Sequence, residues 1–171
     1  MYGYSFAGIY QLADFDWQNG SDPSIPAGSR IYTLKAGNPT FVSGTAVPGA
    51  LKYADISGPD GKPDGQIDDK YDRTVIGNSN PKHFGGLNNT FKYKNFDLGF
   101  MFRFSGGNKI FNSTRRELLN TNFNNNGTEV LGRWQSVDNP GDGWTPRLYA
   151  GTNSSTNLTG AASSRFVEKG D

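Results

Sequence analysis

The chain has 171 residues, a hydrophobic content of 34%, a formal net charge of +1 and no cysteine, with a mean hydropathy of −0.64. That length suits one domain. The near-neutral charge offers no basic patch for nucleic acid, and the missing cysteines exclude disulfide frameworks and thiolate metal sites. Aromatic residues reach 13% and glycines number 23, the composition of a loop-rich β protein. The opening MYGYSFAGIYQ has neither a basic n-region nor an apolar run of about 7–15 residues, so no secretory signal is visible in it. No window approaches about 18 consecutive apolar residues, which removes a transmembrane helix and says nothing against a barrel.

In chain order, residues 2–12 alternate Tyr2, Tyr4 and Phe6 before Ile9 and Tyr10, and predict a glycine-tolerant strand. Residues 13–84 are rich in Asp, Gly, Pro and Ser, with only short apolar fragments such as RIYTL and ALKYADI, and read as one long excursion. Residues 85–93 alternate Leu87, Asn89, Phe91 and Tyr93. Residues 95–105 then place Phe96, Leu98, Phe100, Phe102 and Phe104 at every second position, with Asp97, Gly99, Met101, Arg103 and Ser105 between them. A period of two gives a strand one apolar and one polar face and scatters the same residues around a helical wheel. The two stretches therefore predict a tight hairpin. A second polar excursion covers 106–163, with a short helix expected over 113–119 and Ser113 or Thr114 as its N-cap. Residues 164–171 resemble the start of a further strand.

Two environments reward the alternation in 95–105. In a soluble β-sandwich the phenylalanines fill a core and the other face meets water. In a membrane β-barrel they face lipid while Asp97 and Arg103 face a polar lumen, and about 9–11 residues suffice to span. Connection lengths favour the barrel: structureless loops beyond about 12–15 residues are uncommon in compact domains, whereas outer-membrane barrels combine short periplasmic turns with long extracellular loops. A barrel needs at least about eight strands, and roughly four are visible here, the last cut short. The expected fold is an all-β segment of a large antiparallel transmembrane barrel with two long extracellular loops.

The run PGALKYADISGPDGKPDGQIDDKYDRTVIGNSNPKHFGGLNNTFKYKNFDLGFMFRFSGGNKIFNSTR closely resembles the C-terminal barrel region of SusC/RagA-type TonB-dependent outer-membrane transporters. The family pattern joins a PGxxKYxD opening, an Asp/Gly-rich turn ending in ID, a DRTVIGNxNP segment, a GGxxNTFxYKNFDL hairpin and a GNKIFN exit. YGYSFAGIYQ before this run, and RW and SSRFVEKGD after it, extend the likeness over nearly the whole chain. The resemblance implies import of a large nutrient, a glycan oligosaccharide or a peptide, across the outer membrane of a Gram-negative bacterium. It further implies a plugged barrel of about 22 strands, a SusD-like surface lipoprotein as lid, and energy from the TonB complex acting through regions outside this chain.

The acidic stretch DGKPDGQIDDKYD is the candidate for metal chemistry. Calcium takes about 6–8 oxygen ligands, and counting Asp60 as the first position of an EF-hand-like loop places Asp64, Gly65 and Asp68 in register with Asp72 one residue late. Related SusC-like sequences have a tighter D-x-N-G-D-G form, and a solvated Asx/Gly turn favours the same residues without an ion. Trp17, Trp134 and Trp144, with Arg133 beside the second, are candidates for contact with substrate or lid, or anchors that pack a long loop against itself. His83 is the single histidine, and no GxSxG, HExxH or P-loop arrangement occurs, so no enzyme is expected. The alternative from another class is a soluble calcium-dependent glycan-binding module, which differs in placing the phenylalanines in a core.

Overall fold

The computed structural model describes residues 1–18, 31–42, 46–119, 125–148 and 161–170. The first strands are β1 (Tyr2–Tyr4) and β2 (Phe6–Ile9), followed by a 3-10 turn, β3 (Phe15–Trp17), β4 (Tyr32–Leu34), β5 (Thr40–Phe41), β6 (Leu51–Tyr53), β7 (Gln66–Ile67) and β8 (Arg73–Val75). The strand expected over 2–12 is thus two strands with different partners. β1 pairs with β8, and β2 pairs with β6 through a bulge between Phe6 and Gly8. β2 ends at Ile9, and Ile9 and the following Tyr10 are both buried.

The excursion over 13–84 is not an open loop. It carries six of the short strands and supplies Phe15, Phe41, Ala46, Ala50, Leu51, Tyr53 and Ile67 to a core shared with Tyr4, Ile9, Tyr10 and Trp134. The core is aromatic-rich: Tyr4 stacks on Tyr53 at 5.1 Å between centroids, and Phe15 meets Tyr32 edge-on at 5.3 Å. Few large aromatic rings bury much area, which lets short strands with many turns hold a core at low hydrophobic content. Asp72 is fully buried and ties the turns together, its carboxylate accepting hydrogen bonds from the backbone N–H groups of Ile56 (2.7 Å), Ser57 (3.3 Å) and Asp68 (2.9 Å). A close approach at Gly49 completes the core: its φ is +80°, and a side chain there would enter the Trp134 indole.

The long strands are β9 (His83–Tyr93) and β10 (Phe96–Gly106), joined by the two-residue turn Lys94–Asn95, in which Lys94 takes a φ of 54°. Each has 11 residues, a reach of about 35 Å at the usual rise per residue. Their pairing is continuous from Tyr93↔Phe96 to His83↔Gly106. Beyond them come β11 (Lys109–Phe111), α1 (Ser113–Leu118), a 3-10 turn over 128–132, a second over 164–166 and β12 (Val167–Lys169), antiparallel to β11. The helix is capped by Asn112, whose side chain accepts from Arg115 N–H at 2.8 Å, one residue before the expected cap.

Candidate functional site

The hairpin separates two chemistries by register. Directly opposed residues share a face, so Phe96, Leu98, Phe100, Phe102 and Phe104 lie with Tyr93, Phe91, Asn89, Leu87 and Gly85. Phe100 sits between Phe91, stacked at 5.7 Å, and Phe102, edge-on at 5.3 Å. The Phe104 ring lies over Gly85, where a Cβ would come within 2.5 Å of it; glycine opposite an aromatic is what permits that cover. The other face carries Asp97 opposite Lys92, with 3.7 Å between carboxylate and ammonium, and Arg103 opposite Gly86. Both faces are uncovered: Phe96 is 78% exposed on one and Met101 57% on the other. Among the described residues the phenylalanines therefore fill no core. Among the described residues the hairpin has no third strand, and both its edges are open.

The body at the base of the hairpin holds the other candidates. Trp17 donates its indole N–H to Leu12 C=O at 3.3 Å and leans on Tyr32 at 5.4 Å, half-buried against the core. Trp134 is buried, with the Arg147 guanidinium 5.1 Å from its ring centroid. Trp144 is 49% exposed, with its ring edge-on to Phe6 at 4.7 Å. Its loop is locked by Asp142, which accepts from the Trp144 and Thr145 N–H groups and from the Thr145 hydroxyl at 2.6–2.8 Å. Arg133 donates to Val130 C=O at 3.2 Å. Arg133 and Trp134 thus line one site, while Trp17 and Trp144 occupy other parts of the surface.

The acidic stretch is spread through turns. Asp64 accepts from Gln66 N–H, Asp68 from Lys70 and Tyr71 N–H, and Asp72 from the three backbone groups given above, while Asp60 is exposed. Among the described residues no three acidic or imidazole side chains converge as a metal site would require.

Sequence patterning gave no sign of a buried ion network beneath Trp144. The Arg165 side chain is fully buried, donating to Glu129 at 2.7 Å and to Trp144 C=O at 2.6 Å, and its guanidinium lies 5.1 Å from the Phe6 ring centroid. Glu129 is also held by Arg115 in a two-point contact at 2.9 and 3.0 Å. That pairing with Arg115 holds the Glu129 carboxyl below its ordinary range against the opposing effect of burial, and Arg165 adds to it. Five segments are joined by this network: β2, α1, the 128–132 turn, the Trp144 loop and the approach to β12.

A free-standing β-hairpin with one apolar and one polar face, rooted in an ordered body of loops, defines a segment of a larger β-sheet protein. Sequence comparison gives the particular family. The chain is 30% identical over 137 residues to TonB-dependent receptor P3 of Formosa agariphila, covering 80% of this chain and 11% of that protein. It is 32% identical over 159 aligned positions to TonB-dependent receptor P39 of the same organism, covering 83% of this chain and 14% of that protein. No family model matches. The chain belongs with the TonB-dependent receptors as a segment of one, and spans only a small part of the length of these relatives.

Proposed function

We propose that the chain supplies barrel wall and extracellular loops to a bacterial outer-membrane transporter of the SusC/RagA kind, which imports a glycan oligosaccharide or a peptide. The observation that carries the reading is the hairpin of 11-residue strands that sets Phe96, Leu98, Phe100, Phe102 and Phe104 on one face, with Tyr93, Phe91 and Leu87 among the residues opposite them. Hydrocarbon offers no hydrogen bonds to backbone, so a spanning strand must be paired on both sides within a closed sheet, and its outward side chains must be apolar. The open edges of β9 and β10 then pair with neighbouring barrel strands, the phenylalanines face lipid, and Asp97 and Arg103 face the lumen. Tyr93 and Lys94, with the ammonium 5.3 Å from the ring centroid, mark the periplasmic interface at the turn.

The aromatic-cored body then lies outside the outer leaflet. There Trp144 and Arg133 meet the nutrient or a SusD-like lipoprotein lid, and Trp17 and Trp134 hold the loops that present them. TonB acts through other parts of the receptor. The role is transport rather than catalysis. A peptide tag inserted beside Asn125 in the full-length receptor tests the orientation: antibody labels it on intact cells. Labelling only after lysis would contradict the assignment.

A further inference from the structure

The aromatic-cored body contains a cavity of about 500 Å³ where β2, the turn ahead of β5, the exit of β6 and the turn ahead of β7 meet. Backbone contacts fix its walls: Ala54 N–H donates to Ser5 C=O at 2.9 Å, Gly65 C=O accepts from Thr40 N–H at 3.0 Å, and Pro39 C=O accepts from the Tyr10 hydroxyl. Ala7, Pro39, Ala54 and Pro63 give the lining an apolar frame, and Asn38, Lys52 and Asp55 are among its polar side chains. Lys52 and Asn38 are already engaged. The Lys52 ammonium donates to Asn38 Oδ1 at 2.6 Å and to Asp14 at 3.2 Å, and the Asn38 amide donates to Lys35 C=O at 3.4 Å. Asp55 is different: its Oδ2 accepts from Gly65 N–H at 2.6 Å, while its Oδ1 is buried with no hydrogen-bond partner. A carboxylate oxygen withdrawn from water calls for a donor.

The surroundings select the kind of donor. Among the described residues no three acidic or imidazole side chains converge, which argues against a metal ion. One carboxylate and one ammonium share the lining, so neither an anion nor a cation is favoured. An apolar frame with a few fixed polar groups suits a small molecule that carries hydroxyl donors on a carbon ring. We propose that this cavity binds one ring of a neutral sugar, with a ring hydroxyl donating to Asp55 Oδ1 and the C–H face lying against Pro39 and Pro63. The inference rests on the transporter reading for glycan as the ligand class and narrows that class to uncharged sugars.

The test uses the full-length receptor purified in a detergent without sugar headgroups, followed by saturation-transfer NMR. Glucose, galactose and mannose are the neutral probes, and glucuronate and glucosamine the charged ones. The best-bound neutral sugar should bind at least about tenfold more tightly than either charged sugar, and rising salt should leave its affinity unchanged. Asp55→Asn, which keeps the shape and loses the charge, should lower that affinity about tenfold. Ala7→Phe should lower it at least as much, because Ala7 is exposed on β2 and a larger side chain there adds bulk to the lining without entering the core. Each variant is first shown to retain the heat-resistant barrel and the parent receptor's resistance to trypsin. Charged sugars bound as tightly as neutral ones, no binding of any neutral sugar, or affinity unchanged in both variants overturns the proposal. Uptake by cells is measured separately: neutral-sugar binding that both variants weaken, without import of any glycan, would count against the transporter reading and leave the cavity assignment standing.

Discussion

Phe100→Arg in the full-length receptor should sharply reduce the yield of assembled barrel, while Met101→Arg, one residue along, should leave most of it. Phe100 lies near the middle of β10, between Phe91 and Phe102 on the apolar face, whereas Met101 shares the opposite face with Asp97 and Arg103. A cation on the lipid face near the bilayer midplane costs about 2–4 kcal/mol, whereas a lumen position tolerates it. Even the lower figure corresponds to roughly thirtyfold in an assembly equilibrium. Heat-resistant migration of the outer-membrane fraction measures it directly. Equal yields of the two variants would contradict the assignment of faces.

Glu129→Ala should loosen the aromatic-cored body without affecting the hairpin. Removal of this carboxylate leaves Arg165 buried beneath Trp144 and Phe6 with its charge uncompensated and deprives Arg115 of its two-point partner. Breaking a buried pair by deleting one member costs about 3–5 kcal/mol. Because the Glu129 side chain is 27% exposed, solvent screening brings the expected loss nearer 2 kcal/mol. Opening of the body becomes roughly thirtyfold more frequent, and trypsin cleavage on intact cells, which follows the open population, speeds up accordingly. Unchanged cleavage would mean that the network does not hold the loops. The sign with pH follows from the lowered Glu129 pKa: the stabilisation is fully present above the ordinary glutamate value of about 4.3 and is lost as pH falls through the lower value of the folded state.

The hairpin was legible in the sequence because a period of two over 95–105 has one structural meaning, and the face assignments follow from the pleat alone. The body was far less legible. Its strands are 2–4 residues long, too short for alternation to register. Its core is assembled from isolated aromatics such as Tyr10, Phe41 and Tyr53, which contact one another only through the chain's long-range path. Asp72 looked like a possible calcium ligand in an acidic run, but its backbone partners, Ile56 and Ser57, lie far enough upstream to be invisible to local pattern. Likewise, nothing in SSRF distinguishes a buried arginine from a surface one. Charge burial depends on Glu129 and Trp144 arriving from other segments.

The central claim is that the phenylalanines of β10 face lipid. Cysteine placed singly at each position from 95 to 105 of the full-length receptor, in cells, and probed with a membrane-restricted and an aqueous thiol reagent, tests it most directly. This segment has no native cysteine, and the receptor without an introduced cysteine sets the background. Labelling of even positions from lipid and of odd positions from water is the result expected for a barrel wall. Shielding of both sets until denaturation would contradict it and place the strand in the core of a soluble domain.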